Sequence, residues 1–444
     1  MATPTLPDQL KRRDRDRLTR YTKALDFYNG NQWTGVAPKK ARRLTINYAR
    51  SIVHKATTAL LKGRTTVVHP ATPTNPSEDE LARADAAETA LNQVWQQNNL
   101  DSLDFDTEID CAVLGDAAYK VFWDPQLEQV RVSSPDPAGV FVWHWPDDPS
   151  RFWRAANQYT LDRDATLTLF PGLPAKDKNT VTEAWTLDLY ELWLNNEVAT
   201  TGPNPYGFIP FVVFPNVREP KQLWGTSDLD TLYEPLQELN REITQLSLIM
   251  ELSGNPIAAL TGVTESEDIA VRPGEIWTLP PDAKAELLDL LRGGGPALHV
   301  EYLTALYRII HDLAETPRAA FGDTGGRDLS GVALELELYP LIKKTNRKRI
   351  IRTHAYRQRN DMILALLDQF TGSAFRAAHH DITWGSILPT DRQREVDDEI
   401  ALVAAGVHSR RYAADTLGAI DDPDAEFARW LDEQRQLPTP PTAA

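Results

Sequence analysis

Between Thr226 and Leu252 the apolar side chains Leu229, Leu232, Leu236, Leu239, Ile243, Leu246 and Met250 recur at alternating intervals of three and four. That is the spacing of a seam that one helix presents to another. Thr226 or Ser227 supplies an N-cap, and Pro235 predicts a kink in the first turns or their separation from the rest. A second helix is expected from about Ala297 to Thr316, opened by Gly293-Gly294-Gly295-Pro296 and stopped before Pro317. Its stripe is Tyr302, Leu306, Ile309 and Leu313. The residues between cannot continue either helix. They hold strand patterns at 256–263 and 274–280 and a small helical pattern at 283–292, so two helices joined by a compact α/β insertion are expected.

Upstream, residues 1–20 are polar, charged and proline-containing, and predict a flexible or only marginally helical N-terminus. Helical spacing runs from Leu18 to Leu61 with breaks at Asn29, Gly30 and 34–43. After a loop at 69–77, Ser77 and Glu80 stand in capping-box spacing ahead of a helix reaching about Gln97. Another helix spans 101–114. Gly115 marks a change of period, and short alternating runs from 117 to 215 predict an antiparallel β unit, with Asn195-Asn196 as a hairpin turn. Downstream, a glycine- and aspartate-rich loop leads into a helix from about 330 to 370, with a kink expected at Pro340. A strand near 380–387, a helical region at 391–436 and a flexible tail at 437–444 follow. The fold class is α+β.

The chain has 444 residues, 42% hydrophobic and 25% charged, with 12 Trp. This is the profile of a globular protein of two or three folding units. No apolar run is long enough to span a bilayer, and the opening segment has no apolar secretory core. Cys111, the single cysteine, excludes an intrachain disulfide or a cysteine zinc cage and reads as a buried, inert thiol. A net charge of −16 argues against a protein that wraps nucleic acid over its whole surface, though not against a conduit that lets it pass.

Catalytic signatures are missing where an enzyme would need them. No phosphate-cradling G-x-x-x-x-G-K-[ST] loop occurs, nor G-x-S-x-G, nor H-E-x-x-H. His379-His380-Asp381 alternates faces on a strand, and the acidic pairs Asp147-Asp148, Asp397-Asp398 and Asp421-Asp422 read as solvated turns or helix surfaces. No cofactor or metal is expected. The long helix carries Lys343, Lys344, Arg347, Lys348 and Arg352, with no acidic residue from Leu338 to Asn360. Lys344, Lys348 and Arg352 share one face, where like charges repel. Their compensation is carboxylates of this chain or of a neighbouring subunit, or DNA phosphate, unless the face is merely solvated.

Four segments, in order, resemble the SPP-type phage portal proteins: FYNGNQW with RLTINYARSIVHKATTALLKGR; GFIPFVVFPN with LWGTSDLDTLYEPLQELNREITQ; ETPRAAFGDTGGRDLSGVALELELYPLIKKTNRK; and WGSILPTDRQREVDDEIALVAAGVHS. The resemblance implies a non-enzymatic ring, usually of twelve subunits, at one capsid vertex of the virion. The ring is a DNA channel for packaging, head–tail joining and genome ejection, assembled in the host cytoplasm. It implies a wing over 21–225, stem helices at 226–253 and 296–317, a clip at 254–295 and a tunnel loop at 318–331. The wing's long helix and strand would take 332–390, and a crown 391–436. Asp323, Thr324, Gly325, Gly326, Arg327, Asp328 and Ser330 would then face DNA. Glu265, Glu267, Asp268 and Trp277 would meet the terminase large subunit or the head-completion adaptor. Capsid and scaffolding proteins and double-stranded DNA, held without sequence preference, complete the implied partners, with no membrane. The competing readings are another oligomeric virion component, such as a head–tail adaptor or capsid protein, and a metal-dependent nuclease.

Overall fold

The computed structural model describes residues 5–33, 43–72, 74–254, 257–261, 284–288, 295–326, 331–388, 392–418 and 423–436. The chain divides into two compact units, Met1–Gly385 and Ser386–Ala444.

The first unit opens with α1 (Leu6–Arg13) and α2 (Arg15–Tyr28), where the polar composition predicted flexibility. They are docked instead. Leu10 is buried among Phe141, Ala156 and Ala184. The Arg17 guanidinium donates to the carbonyls of Pro137 and Val140 at 2.9 and 2.8 Å and stacks on Trp224. Within residues 1–20 one buried leucine and one arginine carry this anchor, too little for a hydrophobic pattern to reveal; the rest of α2 buries Tyr21, Ala24, Phe27 and Tyr28. Next come α3 (Tyr48–Leu61), β1 (Arg64–His69), α4 (Glu78–Gln97) and α5 (Leu100–Leu114). Ser77 and Glu80 form the expected capping box on α4.

Gly115, at φ 99°, ends α5 in the left-handed region. A Cβ there would lie 2.9 Å from the Thr226 carbonyl carbon, and one on Gly225 would lie 2.6 Å from the Gly115 oxygen. Two glycines thus let the end of α5 and the 225–228 segment touch through backbone. From here the chain turns to sheet: β2 (Asp116–Asp124), β3 (Gln129–Ser133), β4 (Val140–His144), β5 (Phe152–Asp162), a short α6 (Arg163–Leu169), β6 (Lys178–Trp185), β7 (Leu189–Leu194), β8 (Glu197–Pro203) and β9 (Phe211–Pro215). All pairings are antiparallel, in the orders β3-β2-β9 and β4-β5-β6-β7-β8. Asn195, at φ 56°, makes the expected β7–β8 turn. No strand is expected from the pattern at β5, whose buried centre is Ala155, Ala156, Asn157 and Gln158. Small and amide side chains carry little strand preference, so its two neighbours impose the conformation.

Next, α7 (Tyr233–Gly254) begins seven residues after Thr226. Pro235 therefore sits in the first turn, where its missing N–H costs no hydrogen bond. Leu229 and Leu232 lie in the turns before it. Strands β10 (Ile257–Thr261) and β11 (Lys284–Leu288) pair antiparallel, so Lys284–Leu288 is extended where the spacing of 283–292 suggested a helix. Opposite α7 runs α8 (Gly295–Ala314). The long α9 (Gly331–Thr371) then carries Pro340 inside it, and β12 (His379–Trp384) pairs with β1 across 320 residues of chain.

Two cores result. Leu91, Val94, Tyr119, Val121, Phe214, Tyr356 and Leu364 join α4, the β2 sheet and α9. Phe27, Ile52, Val53, Leu229, Leu232, Leu236, Leu239 and Ile310 join α2, α3, α7 and α8. Each fully buried leucine of this kind contributes about 2 kcal/mol. The second unit holds α10 (Arg392–Ala404), α11 (Arg410–Thr416) and α12 (Pro423–Gln436), with Arg410 over the Trp430 ring and His408 bonded to Glu399 at 2.9 Å.

Candidate functional site

The basic face of α9 turns inward. Lys344, Lys348 and Arg352 are buried, and each finds an acid on another element of the same chain. Lys348 donates to Asp228 at 2.6 Å, and Lys344 lies 3.3 Å from the same oxygen. Arg352 holds Glu108 through two nitrogens, both at 2.9 Å, and donates to the Pro215 and Asn216 carbonyls at 2.8 and 3.0 Å. Further along, Arg359 and Arg64 share Asp104 at 2.6 and 2.7 Å, and Tyr119 donates to it at 2.7 Å.

Burial alone would raise the Asp228 carboxyl. Lys344, Lys348 and the Asn216 amide outweigh it and hold that carboxyl well below the usual range. Cys111 sits 3.1 Å from an Arg352 nitrogen, yet desolvation pushes its thiol well up, so it is inert.

Two α9 cations also cap other helices. Arg349 donates to the Leu60 and Lys62 carbonyls at 3.1 and 3.0 Å, at the end of α3, and to Gly385 at 2.8 Å. Lys344 donates to the Ala314 carbonyl at 3.0 Å, at the end of α8. Positive charge at a helix C-terminus is favourable, so α9 is a rod that fixes where α3 and α8 finish. Lys343 and Arg347 are exposed; Arg347 meets Glu315 at 2.6 Å, and Lys343 rests over the Tyr339 ring. Sequence reasoning found the cations and missed Asp104, Glu108 and Asp228. Only the absence of acid on α9 itself pointed to them.

The α7–α8 pair shows where the heptad stripe goes. Leu229, Leu232, Leu236 and Leu239 are buried and Ile243 packs against them, with Leu246 half-buried. On α8 the packed face is Leu303, Leu306, Tyr307, Ile310 and Ala314. Of the expected α8 stripe Leu306 is buried, and the Tyr302 hydroxyl donates to Glu238 of α7 at 3.3 Å. Tyr302, Ile309 and Leu313 are 44%, 47% and 45% exposed, and Leu298 one turn before is 67% exposed. Thus α8 carries two apolar stripes. Periodicity detects both and cannot say which one meets α7.

The 3₁₀ turn Arg318–Phe321 ends at Gly322, φ 86°, where the glycine loop starts. Phe321 anchors it on the rings of Tyr48 and His311, each centroid 5.6 Å away. Asp323 pairs with Arg318 and accepts from the Gly325 N–H at 3.0 Å. Gly325 and Gly326 stand at φ 66° and 70°, and a Cβ on Gly326 would meet no atom within 4 Å. Arg327, Asp328 and Ser330 lie outside the described residues, as do Glu265, Glu267, Asp268 and Trp277. On β12, Asp381 is taken by Arg357, and His380 is buried against the Arg357 carbonyl at 3.3 Å.

One family model matches the chain over residues 8–437; its description is phage portal protein, SPP1 Gp6-like. No curated protein matches.

Proposed function

The chain belongs to the SPP1 Gp6-like phage portal protein family, and from that premise we propose how its parts serve the ring at the capsid vertex. The protein is a portal: a homo-oligomeric ring of the virion that works with capsid and packaging proteins, in a family that is structural. The α7–α8 pair is the stem, with 254–295 between them as the clip. The clip meets the terminase large subunit during packaging and the head-completion adaptor afterwards. Residues 21–225 with 332–390 are the wing, and 391–436 are the crown. The loop 318–331 is the tunnel loop, set at the mouth of the stem by Phe321, and Asp323, Thr324, Gly325 and Gly326 reach toward DNA. Assembly in the host cytoplasm and twelve subunits follow the family pattern.

One observation carries this reading. The outward stripe of α8, Leu298, Ile309 and Leu313, repeats at helical spacing and is exposed in the single chain. Ordered apolar spacing on solvent-facing turns is the mark of a helix made for a second partner. A ring places the stem of the next subunit there. DNA then passes by shape and weak, salt-sensitive contact, without base reading.

The test is Ile309→Asp with Leu313→Asp in the full chain. Both side chains are exposed, so the melting temperature should stay near that of the unaltered chain while rings are lost. Rings at the unaltered threshold concentration would remove α8 from the interface.

A further inference from the structure

Closed rings use heterologous contacts: each subunit offers two different surfaces on opposite flanks, turned by about 30° from antiparallel when twelve close the circle. This inference rests on the portal reading and asks which surfaces those are in the wing.

Helices α5 and α9 face each other through Glu108–Arg352 and Asp104–Arg359. Two residues along a helix is about 200° of rotation. Asp106 and Asp110 each stand two residues after those acids, and so point away from α9. Both are exposed. Asp136, also exposed, lies close enough to add its charge. Desolvation first, and then Asp136 and Asp106, lift the Asp110 carboxyl to about 6. A carboxylate held up in this way gains from any cation that approaches.

On α9 the same rotation acts in the other sense. Ile350 stands two residues before Arg352 and is 74% exposed. Lys343 lies on this outward face, and Arg218 rims the clefts beside Ile350 and Ile351. Neither Arg218 nor Lys343 makes an ion pair among the described residues, and neither Asp106 nor Asp110 does. One flank is therefore acidic; the opposite flank carries Arg218 and Lys343 around an exposed isoleucine, with Asp148 at the cleft beside it and Glu315 taken by Arg347.

We infer that the acidic face of α5, Asp106 and Asp110 with Asp136, docks in the ring against Arg218, Lys343 and Ile350 on the α9 flank of the neighbouring copy. Charge pairing of this kind selects partner and register, and desolvation of Ile350 adds burial. The exposed apolar face of α8 closes the stem, and this second contact closes the wing.

Charge reversal on each flank tests it in the full chain. Asp106→Lys with Asp110→Lys makes both flanks positive; Arg218→Glu with Lys343→Glu makes both negative. Each reversed chain should need at least about tenfold more protein to form rings, read by light scattering after size separation. Mixed in equal amounts they should assemble in alternation near the unaltered threshold. The chain carrying all four changes restores opposite charges and should form rings alone, which separates lost pairing from lost folding. If the reversed chains assemble like the unaltered one, or the mixture and the fourfold variant both stay apart, the pairing is wrong. An unaltered chain that never forms rings overturns the portal ring itself.

Discussion

Asp228 is the residue whose replacement most directly probes the buried charge along α9. It accepts from Lys348 at 2.6 Å and from the Asn216 amide at 3.0 Å, with Lys344 at 3.3 Å, and only 9% of the residue is exposed. Asp228→Asn keeps the shape and removes the charge, leaving two ammonium groups unpaired. Breaking one partner out of a buried ion pair costs about 3–5 kcal/mol. A unit of 385 residues unfolds with an entropy of roughly 0.8 kcal/mol/K. The melting temperature should therefore fall by about 4–6 °C at neutral pH, by calorimetry.

The pH dependence has a definite sign. The Asp228 carboxyl is held below its ordinary 3.8, so its stabilisation is full above about pH 4 and is lost as pH falls toward the lowered value. In the variant, burial first and the remaining positive neighbours favour neutral Lys348, so raising the pH recovers stability. The deficit should be widest between about pH 5 and 8 and narrow on both sides. Asp228→Leu with Lys344→Met and Lys348→Met should restore most of it, because an apolar triad needs no counter-charge. A variant Asp228→Asn that melts with the unaltered chain at pH 7 refutes the argument.

Asp110 titrates in the opposite sense. Its carboxyl is raised to about 6, so the monomeric chain should gain stability as pH falls from 7 toward 4, and Asp110→Asn should flatten that slope in pH-dependent melts. In the glycine loop, Gly325→Val with Gly326→Val places branched side chains at φ 66° and 70°. Rings should persist while packaged DNA per particle falls; normal packaging would remove 318–331 from the DNA path.

The sequence announced most elements because their patterns are local. The capping box at Ser77, the Asn195 turn, the heptad of Leu229 to Leu246 and the stop at Pro317 each need only neighbouring residues. What it hid depends on distant partners. Strand β5 is held by β4 and β6 despite its Ala-Ala-Asn-Gln centre. KAELL alternates too little to declare a strand, and pairing of 284–288 with 257–261 decides it. Over residues 1–20 the first helices are tied down by Leu10 and Arg17. On α9 the basic run was plain, yet its acids come from α5 and from the turns before α7. No periodicity links residue 352 to residue 108. For α8 both apolar stripes were present in the sequence, and only packing told inner from outer.

The central claim is a ring, and the direct measurement is negative-stain electron microscopy of the purified full chain with its mass taken in parallel. The account predicts annular particles with a central hole and a mass of about 600 kDa, twelve copies of 49.8 kDa. A compact monomer or dimer at every concentration, with no annular particles, would contradict it.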